Sequence, residues 1–179
     1  MVNDLVTQLL DWYQQKHPYY SGNNTANTQS LLYLEQLAEQ LLLPVQNQFG
    51  PISISYGFTS SPLLRYLLKH SPGDMGPSLD QHASSELNTR ANRICLRDGA
   101  ACDFWVQGYE SRMHIIAQYI TESLPFDRLY FYGKDRPIHL SIGPENARYA
   151  LLRYRNKDGI RVNGKSGTGS TTPQLFIDL

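Results

Sequence analysis

The period of the apolar residues changes along the chain, and this change constrains the fold more than any other feature of the sequence. Between Leu31 and Leu42, six apolar residues recur at the spacing of one helical face, so we predict a helix over residues 28–49. Directly after Gly50, Ile52–Tyr56 alternates apolar and polar residues, as the two faces of a strand do. Helix-forming and strand-forming segments therefore lie side by side in one chain.

The rest of the chain extends this pattern. Apolar spacing predicts further helices over residues 3–16, 62–69 and 111–124, and strands over 100–106, 129–132, 138–142 and 149–154. Helices come first, and strands mixed with helices follow. We therefore expect an α+β fold in which a small antiparallel sheet is flanked by helices.

A chain of 179 residues fits one domain. We place that domain at residues 1–155, with residues 1–27 as an N-terminal extension made of a helix and a polar loop. Residues 156–172 are rich in Gly, Ser, Thr, Lys and Asn, and this composition disfavours a packed core. We therefore predict that residues 156–179 form a mobile C-terminal tail.

The overall composition excludes some partners. Sixteen basic and sixteen acidic residues give a formal net charge of zero, so no global positive field attracts nucleic acid or an anionic membrane. No apolar run approaches the roughly 18 residues that a membrane-spanning helix needs. The N-terminal segment has the pattern of an amphipathic helix rather than a signal peptide, which predicts a cytoplasmic protein.

Two of the five histidines stand out from the others. His139 lies inside a predicted strand, and His82 lies in a loop. Asp103 is a carboxylate in the middle of another strand, where a charge needs a partner such as a metal or an arginine. Two imidazoles and a carboxylate are suited to bind zinc and leave a fourth position for water. Their spacing alone leaves open ordinary histidines, an arginine-paired Asp103 and a metal-free cluster.

Several segments resemble one family of zinc peptidases. The segments DQHAS, GAACDF and RPIHLSIGP, together with the helix, strand and turn before them, are similar to motifs of the M15-type D-alanyl-D-alanine carboxypeptidases. The similarity extends from Leu31 to Pro144. It implies the Hedgehog/DD-peptidase-like fold and a Zn²⁺ ion held by His82, Asp103 and His139.

The chain departs from this family at the catalytic positions. Thr59 stands where the family has an arginine that stabilises the oxyanion, and Arg65 follows on the next helix as a substitute. Asp135 is the predicted general base, although it lies one position earlier than in many members of the family. Other candidates for the base are Glu86, Glu110 and Glu145.

The loop between the first two metal ligands is longer than in the family. Twenty residues separate His82 from Asp103, as if residues 84–98 were an insertion. This segment contains Arg90, Arg93 and Arg97, and Arg112 follows it. Arginine can bind carboxylate or phosphate with two hydrogen bonds, although a solvated loop explains the same residues.

These observations predict a zinc-dependent peptidase or amidase that acts on cell-wall-type peptides, with a peptide or small molecule as its substrate. Release to the cell wall would then follow another route than a signal peptide. The alternative is a divergent protein that keeps the metal fold without peptidase activity. It would bind a small acidic ligand or a nucleic acid through the arginine-rich insertion.

Overall fold

The computed structural model describes residues 1–74, 81–177 and 179. Six α-helices and several short 3₁₀ turns occur in this part of the chain, and α3 and α4 are joined by a π-helical segment, Ala38–Leu42. The α-helices are α1 (Val2–Asp11), α2 (Tyr13–Lys16), α3 (Thr28–Leu37), α4 (Leu43–Phe49), α5 (Ser61–His70) and α6 (Met113–Ser123). None of the described helices is both long enough and apolar enough to cross a membrane.

One six-stranded sheet forms the centre of the fold, with the strand order β1-β2-β4-β3-β5-β6. Its strands are β1 (Ile52–Tyr56), β2 (Ala100–Val106), β3 (Arg128–Phe131), β4 (Ile138–Ile142), β5 (Tyr149–Arg155) and β6 (Arg161–Thr168). The α+β class and the flanking helices agree with the prediction from the sequence.

The prediction of a wholly antiparallel sheet was wrong at one pair of strands, because β3 and β5 are parallel. Strands β3 and β4 form an antiparallel hairpin, and the chain then reverses again into β5. The far side of β4 is already paired with β2, so β5 lies beside β3 instead. Two reversals leave β5 running in the same direction as β3.

The two faces of the sheet differ sharply in composition. One face carries Phe104, Leu129, Ile138 and Leu140, which are fully buried in the main core together with residues of α1, α3, α4 and α6. Burial of apolar side chains on this scale is the main stabilising contribution to such a fold. Because side chains alternate along each strand, Asp103 and His139 project from the opposite face.

The long helix predicted over residues 28–49 contains a wide turn. Within Ala38–Leu42 the hydrogen bonds span five residues, as from the Leu43 amide to the Ala38 carbonyl. Pro44 has no N–H with which to continue the α-helical pattern, and its ring would crowd the carbonyl four residues earlier. The π turn accommodates this proline within a continuous helical segment.

Residues 156–179 do not form the loose tail that their composition predicted. β6 pairs antiparallel with β5, and Phe176 is 1% exposed in the main core, in edge-to-face contact with Phe131. The pairing uses backbone groups, which composition does not reveal. One aromatic side chain near the end then anchors the segment that follows β6.

Candidate metal centre

The register of the sheet brings Asp103 next to His139. In the antiparallel pair β2–β4 these two residues lie directly opposite each other, and Tyr56 and Tyr130 continue the same row on β1 and β3. All four side chains therefore project from the same face of the sheet. The Nδ1 atom of His139 lies 2.8 Å from Oδ1 of Asp103, a short charge-assisted hydrogen bond.

His82 approaches this row from a loop instead of a strand. It lies in the 3₁₀ turn Gln81–Ala83 and is 4% exposed. Its Nδ1 atom lies 3.1 Å from the carbonyl oxygen of Gly57, which can only accept, so Nδ1 carries the proton. Its Nε2 atom is then the unprotonated nitrogen and lies 3.6 Å from Oδ1 of Asp103.

One ligand atom from each of His82, Asp103 and His139 lies within 4.8 Å of the other two. In a tetrahedral zinc site with bonds of about 2.0–2.1 Å, neighbouring ligand atoms are about 3.4 Å apart. The 3.6 Å between Nε2 of His82 and Oδ1 of Asp103 is close to this value. The 2.8 Å at His139 is instead measured to Nδ1, which carries the proton of the hydrogen bond to Asp103. Small side-chain movements would therefore convert the hydrogen-bonded group into a ligand set.

The charge of Asp103 also suits a metal. Burial raises its pKa, but the hydrogen bond from His139 and the nearby imidazole of His82 outweigh burial and hold the pKa well below its usual range. Asp103 is therefore an ionised acceptor at neutral pH. The pKa of the adjacent Cys102 thiol is raised well above its usual value, first by burial and second by Asp103, so this thiol stays protonated and unreactive.

A buried ring nitrogen gives an independent indication that the residues fit a metal. When His139 donates its Nδ1 proton to Asp103, its Nε2 atom carries a lone pair. This Nε2 atom is buried and has no hydrogen-bond partner among the described residues. Buried polar atoms are rarely left unsatisfied, and two imidazoles with one carboxylate are a common catalytic zinc set.

The Gly57 carbonyl that positions His82 belongs to a segment held by the N-terminal helices. The Phe58 amide donates to the Leu9 carbonyl over 2.9 Å, and the Trp12 indole donates to the Phe58 carbonyl over 2.8 Å. The Asn24 amide also donates to the Phe58 carbonyl over 2.8 Å. The N-terminal residues therefore support a metal ligand that lies far away in sequence.

A second group of hydrogen bonds holds the His82 turn from the other side. Gln81 donates from Nε2 to the Asp98 carbonyl and to Oδ2 of Asp127, each over 2.8 Å. Asp127 is fully buried, and its other oxygen accepts from the Ala147 amide over 2.8 Å. The turn that presents His82 is thus tied to the start of β3.

Two tyrosines contact the imidazole rings. Tyr130 stacks on His139 with ring centres 4.8 Å apart and planes inclined by 12°. Tyr56 meets His82 edge to face with ring centres 4.5 Å apart. Sequence reasoning missed both tyrosines as site residues, and the signal that could have found Tyr130 is its place opposite His139 in the β3–β4 hairpin.

The three predicted catalytic residues lie in different settings. Thr59 is 2% exposed, its amide donates to the His82 carbonyl over 3.1 Å, and its hydroxyl donates to the Gly57 carbonyl over 3.4 Å. It therefore supports the His82 segment. Asp135 is exposed in the turn between β3 and β4.

Arg65 is exposed on α5 and lies close to Tyr20. The pKa of Tyr20 is raised, first by burial, and the charge of Arg65 offsets part of this rise. Within the described ranges, no hydrogen bond or ion pair joins Arg65 or Asp135 to the three candidate ligands. Their catalytic roles remain predictions.

The alternative bases and the insertion arginines are mostly engaged elsewhere. Glu86 accepts from the Asn27 amide and from the Ser30 hydroxyl, each over 2.9 Å, and Glu145 pairs with Arg128 over 3.3 Å. Glu110 is exposed in a turn.

The arginines of the insertion and of the segment after it also differ in setting. Arg93 pairs with Asp98 over 2.8 Å, Arg112 donates to the Gly108 carbonyl over 3.0 Å, and Arg90 is exposed. Arg97 is half-buried, with its Nε atom unpartnered among the described residues.

The geometry therefore gives a His–Asp–His group that could hold a metal ion on the polar face of the sheet. Comparison of the chain with protein-family models, with curated proteins and with solved structures gave no match.

Proposed function

We propose that this chain is a zinc-dependent hydrolase that cleaves peptide or amide bonds, with His82, Asp103 and His139 as the metal ligands. The observation that carries the proposal is the meeting of two imidazoles and an ionised carboxylate on the polar sheet face, where one buried ring nitrogen has no hydrogen-bond partner among the described residues. Their chemistry favours zinc over magnesium or calcium, which prefer oxygen ligands.

A zinc ion held by three protein ligands lowers the pKa of its bound water toward neutrality and polarises a carbonyl group. The protein contributes fixed orientation. The hydrogen bond from His82 Nδ1 to the Gly57 carbonyl sets the tautomer in which Nε2 is unprotonated, the form that a metal ligand requires. Tyr130 packs flat against His139 and limits the rotation of that ring.

The substrate class rests on the motifs around the three ligands, which resemble those of peptidases that act on peptides ending in D-alanine. In this proposal Asp135 takes the proton of the attacking water. Asp135 lies on the exposed β3–β4 turn, just before the start of β4, the strand that carries His139. The family arginine has no counterpart at Thr59, and loss of one oxyanion donor typically costs about 10²–10³ in rate. We therefore expect slow turnover.

The test is the metal content of protein purified without added metal, measured by elemental analysis. We expect about one zinc per chain in the wild type, and loss of that zinc in His139→Ala. The matched control is His114→Ala on α6, which removes an imidazole elsewhere and keeps the zinc. Equal metal content in all three proteins would contradict the proposed site.

A second experiment tests the reaction. Zinc-loaded protein is incubated with a muropeptide ending in D-alanyl-D-alanine, and released D-alanine is measured. We expect release that stops with a chelator and returns with zinc. If zinc is bound but no peptide or amide substrate is cleaved, the site is a structural or ligand-binding metal centre.

A further inference from the structure

The β5–β6 hairpin extends beyond the rest of the described sheet. β3 pairs with β5 only as far as Leu152, whereas β5 and β6 remain paired from Arg153 with Asn163 to Arg155 with Arg161. We call residues 153–163 the arginine ribbon. As a paired two-stranded segment, it holds its side chains in fixed relative positions.

Three arginines of the ribbon share one face. Arg155 lies directly opposite Arg161, and Arg153 lies two residues from Arg155 on the same strand. Leu151 has the same orientation and pairs with Tyr130, which pairs in turn with His139. The arginines therefore lie on the sheet face that carries the His–Asp–His group.

The three arginines of the ribbon form no ion pair with any described residue. No carboxylate of the described residues lies within ion-pair distance of Arg153, Arg155 or Arg161, although Arg155 donates to the Gly159 carbonyl over 2.6 Å. The ribbon, residues 153–163, contains four basic residues and one acidic residue, a formal charge of +3 in a chain of net charge zero. Like charges directly opposite each other destabilise a pair of strands, so an anion bound here would relieve repulsion.

Two of these guanidinium groups lie over the ring of Tyr132. The Arg161 guanidinium carbon lies 4.3 Å from the centre of the Tyr132 ring, and that of Arg153 lies 6.0 Å from it. The two groups are thus no more than about 10 Å apart. The Nε atom of Arg153 is buried and has no hydrogen-bond partner among the described residues. The terminal N–H groups of these guanidinium groups can bind a carboxylate by the two-pronged geometry that arginine favours.

The distance to the candidate metal centre suits an extended peptide. Arg153 lies on β5, two strands away from His139 across the sheet. Along β5 it is two residues beyond the position that is level with His139. With strands about 4.8 Å apart and about 3.3 Å per residue, the separation is about 12 Å. An extended peptide covers this distance in three to four residues.

We propose that the arginine ribbon binds a carboxylate of an extended acidic peptide whose scissile bond lies at His82, Asp103 and His139. This inference rests on the proposed hydrolase function and adds one feature of the substrate, a carboxylate a few residues from the scissile bond. A peptide explains the ribbon better than a nucleic acid does, because the charge is concentrated at one place. On the same face Arg128 is already paired with Glu145, so no continuous positive track exists along the described face.

The test is direct binding of two fluorescein-labelled alanine hexapeptides to the metal-loaded protein, measured by fluorescence anisotropy. One peptide carries glutamate at both ends, and the other carries glutamine at both ends. In whichever direction the glutamate peptide binds, it places a side-chain carboxylate at the third residue from its centre. We expect the glutamate peptide to bind about tenfold more tightly. The double variant Arg153→Gln/Arg161→Gln should reduce this preference to less than twofold.

The matched control is Lys165→Gln, which removes one positive charge from β6 but lies beside Leu152 and Tyr154 on the opposite face. It should keep the preference. Equal affinity for the two peptides in the wild type would overturn the inference. Tighter binding of a single-stranded oligonucleotide that falls steeply with salt and is lost in the double variant would also overturn it.

The result can be separated from the proposed function, because binding is measured without cleavage. A preference that persists in a protein without hydrolase activity keeps the carboxylate site and removes the reaction. Cleavage without a preference for the glutamate peptide would rule out the carboxylate site and support the hydrolase reaction.

Discussion

The three candidate metal ligands are held in two different ways. Asp103 and His139 lie opposite each other on paired strands, and the backbone ladder of the sheet fixes their separation. His82 lies in a short turn, and its position depends on two supports: the segment with Gly57 and Thr59 on one side, and the contacts of Gln81 on the other. A ligand on a strand inherits its position from register, whereas a ligand on a loop needs its own scaffold.

This difference predicts where the candidate site is most easily damaged. Substitutions that leave the sheet intact but release the His82 segment should weaken metal binding with little change in the Asp103–His139 pair. The four variants below are ordered from the largest expected effect to the smallest.

Asp127→Ala removes the buried carboxylate that ties the His82 turn to β3. Because the Ala147 amide and one Gln81 contact lose their acceptor inside the protein, we expect a loss of about 3 kcal/mol in the free energy of unfolding. Chemical denaturation followed by tryptophan fluorescence measures this loss. The control Asp158→Ala in the exposed β5–β6 turn should change stability by less than about 0.5 kcal/mol. Similar losses of stability in both variants would show that Asp127 does not support the His82 turn.

Gly57→Ala tests the other support of His82. A Cβ atom at Gly57 would lie 2.4 Å from the carbonyl oxygen of Leu9, so the segment must move away from α1. We expect a loss of about 2 kcal/mol in stability and a tenfold or greater loss of zinc affinity. Gly73→Ala is the control, since none of the described residues lies within 4 Å of its added Cβ. Unchanged zinc affinity in Gly57→Ala would show that the His82 ring does not depend on this carbonyl.

Tyr130→Leu tests the ligand on the strand. The substitution removes the ring that stacks on His139 but leaves the backbone ladder in place, so we expect about a tenfold loss of zinc affinity and little change in stability. Competition with a zinc-binding dye measures the affinity. Tyr130→Phe keeps the ring and should restore wild-type affinity. If Tyr130→Phe is as weak as Tyr130→Leu, the hydroxyl matters and the stacking does not.

Trp12→Phe removes the most remote support of the His82 segment. The indole hydrogen bond to the Phe58 carbonyl is lost, but Asn24 still donates to the same oxygen, so we expect a cost of only about 1 kcal/mol. Thermal unfolding measures it, with Tyr13→Phe as a control of similar size. A loss above about 3 kcal/mol would mean that packing against Tyr56, and not the hydrogen bond, carries the contribution of Trp12.

The sequence predicted the strand that carries each of Asp103 and His139, because alternation of apolar and polar residues reports which face a side chain occupies. It could not predict the scaffold of His82. Contacts such as those of Gln81 with Asp127, or of Trp12 with Phe58, join residues that are distant along the chain. No local pattern records them.

The errors at the C-terminal end have the same origin. Residues 161–168 contain two glycines and several polar residues, yet they form β6 because β5 offers an open edge. The parallel pairing of β3 with β5 was missed because it depends on the far side of β4 being occupied by β2. Local propensity describes segments, whereas pairing is decided by which edges remain available.

The main core joins the first helix to the last core residue. Leu5 and Leu9 of α1 and Phe176 belong to the same buried cluster. During synthesis on the ribosome, the core cannot close until nearly all of the described chain has emerged. We therefore expect the core to close only after Phe176 has left the ribosome, so that the apolar sheet face stays exposed until then.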